Sequence, residues 1–126
     1  MKSIIHTENA PAPIGPYSQA VQAGNMLFIS GQIALDPATN QLISGGIKVE
    51  AKQVMNNLEA VLQTAGFNFE NVVKTTIFLS DMNHFADVNE VYGSYFSSNF
   101  PARETVAVLG LPKNVNVEIS VIAVKA

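Results

Sequence analysis

From Val115 to Val124 the apolar residues fall on every second position. Val115, Val117, Ile119, Val121 and Ala123 share one side of the chain, and Asn116, Glu118, Ser120, Ile122 and Val124 share the other. A sustained period of two describes an extended strand, not a helix. The first side is apolar throughout and must lie under other elements. The second starts polar and ends apolar, unlike a solvated surface. If a neighbouring copy covers it, Glu118 is partly desolvated, and a carboxylate held that way needs a partner or its pKa rises. On the pattern alone, an ordinary exposed strand glutamate fits equally well.

The layer that covers the apolar side is readable upstream. Ile47, Ala51, Val54, Leu58, Val61, Leu62 and Ala65 recur at three- and four-residue spacing, which predicts an amphipathic helix over 47–65 ended by Gly66. A second helix, capped by Asp81 or Asn83, would turn Phe85, Val88, Val91, Tyr92 and Tyr95 inward. Strands are predicted at 2–6, 17–21, 26–33, 72–80, 105–109 and 115–124. A turn is expected at 36–40, and the prolines of the segment 9–16 hold it extended. The order β-β-β-α-β-α-β-β makes a two-layer α+β domain over residues 1–126, a mixed sheet with both helices on one face.

Charge narrows the function classes. Only 13% of residues are charged, about half the usual share, although 48% are hydrophobic. So little charge on a small domain predicts apolar surface buried against another subunit. The net charge is −3, the pI is about 5.2, and no stretch is basic, which argues against a nucleic-acid partner. No cysteine is present, so disulfides, thiolate catalysis and cysteine-ligated metals are excluded. His6 and His84 have no second ligand at metal-binding spacing. The N-terminus lacks the apolar core of a signal peptide and no run is long enough to span a membrane, so a soluble cytoplasmic protein is expected. Neither a phosphate loop, a dinucleotide fingerprint nor a nucleophile elbow occurs.

Arg103 is the only arginine, in the run Phe100-Pro101-Ala102-Arg103. Its planar fork of donors suits a carboxylate or phosphate, though any single arginine more often lies on the surface with a buried stem. Other polar candidates sit at strand ends. Ser30-Gly31-Gln32 interrupts a strand, either as a simple bulge or to let a ligand approach the backbone at Gly31. Tyr17 follows Gly15-Pro16 and can pack its ring while its hydroxyl stays free. Asn89 lies off the core face of the second helix.

Five segments then carry a resemblance. Ile14-Gly15-Pro16-Tyr17-Ser18-Gln19-Ala20, Phe28-Ile29-Ser30-Gly31-Gln32, Val73-Lys74-Thr75-Thr76-Ile77-Phe78-Leu79, Phe100-Pro101-Ala102-Arg103 and Val117-Glu118-Ile119 occur in this order. Together, from about residue 4 to 124, they closely resemble the RidA (YjgF) family of enamine/imine deaminases. The resemblance implies a chorismate-mutase-like fold and a homotrimeric barrel with ligand clefts at subunit interfaces. It implies hydrolysis of 2-aminoacrylate, 2-iminopropanoate and 2-iminobutanoate to 2-oxo acids and ammonia, without metal or cofactor. By the same resemblance, Arg103 binds the substrate carboxylate, Glu118 positions the attacking water, and Tyr17, Ser30, Gly31 and Asn89 line the cleft. Glu104, Thr105 and Leu109 depart from the family's usual choices; Glu104, next to Arg103, either competes for the guanidinium or, by strand alternation, faces solvent on the other side. The competing functions are a non-catalytic trimer that binds small acids, and a ribonuclease or translation inhibitor.

Overall fold

The computed structural model describes residues 1–126. Strands β1 (Lys2–Ile5), β2 (Ala20–Ala23) and β3 (Met26–Gln32) are followed by a minimal hairpin, β4 (Leu35–Asp36) and β5 (Gln41–Leu42). Helix α1 (Ile47–Thr64), β6 (Val72–Leu79), α2 (Phe85–Gly93), β7 (Ala102–Ala107) and β8 (Val117–Val124) complete the chain. One mixed sheet runs in the order β1-β2-β3-β8-β6-β7, with β6 and β7 parallel and the other pairs antiparallel. The α+β architecture is as expected.

Both helices lie on the same side of this sheet. Val54, Leu58, Val61 and Leu62 of α1 join Val88 and Tyr92 of α2 in one core with Leu27, Ile77, Leu79, Val117, Ile119 and Val121. Every residue expected on the inner side of β8, Val115 included, is buried. Gly66 ends α1 with φ +81°, a left-handed conformation that favours glycine. Asp81 caps a short 3-10 turn, Met82–His84, from which α2 continues. Phe85 remains more exposed than Val88 and Tyr92.

Three strands start two or three residues away from the reading of the sequence. The second strand starts at Ala20, not Tyr17, because residues 15–17 form a tight turn in which Tyr17 N donates to Gly15 O at 2.8 Å. β7 spans Ala102–Ala107, not 105–109, since Ala102–Glu104 find parallel partners in Lys74–Thr76 immediately after Pro101. Arg103 therefore lies within a strand. β8 begins at Val117, after a 3-10 turn at Pro112–Asn114.

Leu58 is fully buried between the helix and the sheet. Leu58→Ala is expected to lower unfolding free energy by about 3 kcal/mol, read by urea denaturation at fixed protein concentration.

Candidate active site

The register of the sheet decides where each candidate points. Arg103 pairs with Thr75, which pairs with Val121, and both partners are buried beneath the helices. Arg103 therefore projects on the helix side, at the sheet edge. Glu118 pairs with Phe78 and shares the open face with Ser120 and Ile122. The two positions are separated by two inter-strand steps and three residues along the strand, roughly 14 Å, on opposite faces. Within one copy they cannot touch the same small ligand.

Two clefts result. The first, of about 380 Å³, gathers Tyr17, Ser30, Gly31 and Glu118, with Pro11, Ala12, Ile14 and Pro112 among its walls. β3 slips register between Ile29 and Gln32, and this irregularity brings Gly31 against the Glu118 side chain. A Cβ at residue 31 would stand 2.7 Å from the Glu118 carboxyl carbon and 2.9 Å from its Cγ. Only glycine lets the carboxylate lie where it does. The irregularity thus shapes the sheet and also admits the Glu118 carboxylate.

Hydrogen bonds assign the other polar groups. Ser30 Oγ donates to Ser18 O at 2.6 Å, so its proton is already committed and its lone pairs face outward. Tyr17 Oη accepts from Ile14 N at 3.3 Å, which leaves its own proton free. Burial alone pushes the Glu118 carboxyl above the usual range, and no opposite charge offsets it. The proline-rich wall is held by buried Gln19. Its amide nitrogen donates to Thr7 O, Ala10 O and Pro11 O, and its oxygen accepts from Thr7 N.

The second cleft, about 460 Å³, is bordered by Asn89, Tyr92, Gly93, Phe100, Pro101 and Arg103. Arg103 Nη1 donates to Asn89 Oδ1 at 2.8 Å. The guanidinium carbon lies 5.1 Å from the Tyr92 ring centroid and 5.7 Å from that of Phe85, within cation–π range. Tyr92 is fixed in turn by donating to Thr75 Oγ1 at 2.8 Å, and burial raises its phenol pKa. The fork is held by one amide and two rings, and no carboxylate of this chain pairs with it. Phe85 and Tyr92 escaped the search for site residues because their helical spacing marks them as core, which Tyr92 also is.

Glu104 does not compete for Arg103. It projects to the open face, accepts from Thr76 Oγ1 at 2.6 Å and pairs with Lys74 at 3.1 Å. The Thr76 hydroxyl first, then Lys74, hold its carboxyl below the usual range. Thr105, on the Arg103 side, has a buried hydroxyl without a partner. Leu109 is fully exposed.

Two predictions follow from the Glu118 cleft. Gly31→Ala is expected to destabilise by about 1–3 kcal/mol, and by clearly less in a Glu118→Ala background, read as a double-mutant cycle. The second concerns pH. A carboxyl whose folded pKa lies above its unfolded value binds more protons when folded, so stability falls as pH rises through that window. Glu118→Gln is therefore expected to be more stable than the parent near neutral pH, with the difference closing below about pH 4. Denaturant curves at both pH values test this, and no difference at neutral pH would mean the carboxylate has a partner.

Known proteins resemble this chain over nearly its whole length. A family described as Endoribonuclease L-PSP matches residues 7–125. A RutC family protein of Pyrococcus horikoshii is 54% identical, covering 99% of both chains. The 2-iminobutanoate/2-iminopropanoate deaminase of Mus musculus is 51% identical over 99% of this chain and 93% of its own. The crystal structure of a putative endoribonuclease from Thermotoga maritima superposes with a TM-score of 0.98 at 51% identity, covering 100% of this chain and 99% of that one. With full-length relatives at this identity, and with the five segments in register on the matching fold, the chain belongs to the RidA (YjgF) family, the family described as Endoribonuclease L-PSP.

Proposed function

We propose that the chain hydrolyses 2-aminoacrylate and related 2-imino acids to 2-oxo acids and ammonia, in a cleft assembled from two copies of itself. The carrying observation is that Arg103 and Glu118 each border an open cleft and lack an opposite charge, on opposite faces of one sheet. A single copy wastes both groups, whereas two copies can bring one to the other. An apolar row supports such contact. Ile4, Val21, Phe28 and Ile122 are cross-strand neighbours on the open face, and Ile4 and Phe28 are exposed. Copies joined head to tail in a closed ring would have equal clefts, and the homotrimer is the ring that the family resemblance implies. The mammalian relatives named as imine deaminases support the reaction.

In this reading, Arg103 binds the carboxylate of 2-iminopropanoate with the donors that Asn89 leaves free, and its orientation is set by Tyr92 and Phe85. Glu118 from the neighbouring copy takes a proton from water as the oxygen attacks C2, giving a carbinolamine. The same carboxyl returns that proton to nitrogen. The carboxylate then takes the hydroxyl proton and passes it to nitrogen. The C–N bond breaks with ammonia as the leaving group, and the hydroxyl oxygen becomes the carbonyl of the 2-oxo acid. Tyr17 donates to the developing charge, and Ser30 accepts from the nitrogen's hydrogens. Imines of this kind already hydrolyse in water, so roughly a thousandfold, about 4 kcal/mol, meets the need.

A dehydratase that generates the imine, followed by 2-oxo acid release with and without this protein, tests the proposal. Acceleration is expected, and none with serine- or threonine-derived imines contradicts it. Binding of a 2-oxo acid without turnover would leave the chain a small-acid-binding protein. Arg103→Ala is expected to lower kcat/KM about a hundredfold. Glu118→Gln should cut kcat at least tenfold while retaining 2-oxo acid binding.

A further inference from the structure

Asn116, immediately before β8, ties the entry of that strand to the helix layer. Glu50, in the first turn of α1, is buried. One oxygen accepts from Asn116 N at 2.8 Å and the other from Asn116 Nδ2 at 3.1 Å. From the far side, Ser80 Oγ donates to Asn116 Oδ1 at 2.8 Å, and Ser80 N donates to Asn116 O at 3.0 Å. One asparagine thus joins the start of α1, the end of β6 and the entry to β8. A buried carboxylate satisfied by two hydrogen bonds is a rigid fastening, because losing either leaves a desolvated group.

What it fastens lies next to the site. Glu118 is two residues after Asn116 in the chain, the second residue of β8. Just before Asn116 the chain turns sharply, with Lys113 and Asn114 both left-handed at φ 55° and 56°. Pro112 of that turn walls the Glu118 cleft. Two successive non-glycine residues persist in that conformation only where the surroundings hold the chain. Glu118 itself has no hydrogen bond to orient it, so its direction depends on the strand and the wall.

We propose that Glu50 is a positioning residue for Glu118, acting through Asn116. It touches no substrate. The proposal rests on the deaminase reading for its kinetic effect but not for its structural one, and the experiment separates them. Variants E50Q and E50Q/N116D are compared with the parent by imine hydrolysis, by melting temperature and by carbon NMR titration of the Glu118 carboxyl. Tyr17 is the only other titratable side chain bordering that cleft.

For E50Q we expect kcat to fall about tenfold with KM within about twofold, since small misplacements at a reacting group cost this much. The Glu118 titration should shift toward the ordinary glutamate range as its cleft loosens. In E50Q/N116D the new amide donates where the carboxylate accepted, and most of both effects should be recovered. If E50Q does not fold, Ser80→Ala removes only the outer hydrogen bond and should show the same split, at about threefold. Unchanged kcat with an unchanged Glu118 titration overturns the proposal. So does a loss that follows melting temperature alone and is not recovered by the swap. If the parent accelerates no imine hydrolysis, the deaminase reading fails, and the Glu118 titration decides the positioning claim by itself.

Discussion

A strand presents its side chains to two sides only, and β8 commits them differently. Its inner row is sealed by α1 and α2, which makes the core and fixes the outer row on the open face. Every functional placement inherits that division. Glu118 is on the outer row of a central strand, while the parallel register of β7 against β6 puts Arg103 on the helix side at the edge. A slip of one residue in either pairing would exchange the faces. The parallel pair depends on α2 as its crossover, and α2 also brings Asn89, Tyr92 and Phe85 to the arginine.

The same division explains why a copy by itself looks unfinished. A half-buried carboxylate with raised pKa and no hydrogen bond stores unfavourable desolvation, and an arginine held over two rings has no carboxylate of its own chain beside it. The low charge content and the apolar row on the open face belong to the same account, because a surface meant for another copy need not carry charge. Polar groups on that face settle among themselves, as Glu104 does with Thr76 and Lys74.

The parts of this arrangement governed by local period were legible in the sequence. Helix α1, the inner row of β8 and the stop at Gly66 all follow from spacing or backbone freedom. The two-residue strands β4 and β5 were missed because so short a strand has no period to read. The start of β7 was missed because pairing with β6, not residue preference, extends it to Ala102. Arg103 and Glu118 were found as residue types, but their opposite faces depend on a non-local register no spacing reveals. The proline-rich wall was read as extended surface, and its role in the cleft comes from the long-range bonds of Gln19.

The central claim, that the site is shared between copies, has a direct measurement. Arg103→Ala and Glu118→Gln proteins, each strongly impaired, are unfolded, mixed in equal amounts and refolded together. In randomly mixed rings an interface is complete when one copy contributes Arg103 and its neighbour Glu118, so about a quarter of the parent's deaminase activity should return. If both residues served one ligand within a single copy, no mixed assembly would hold a complete site, and the mixture would show only the average residual activity of its components.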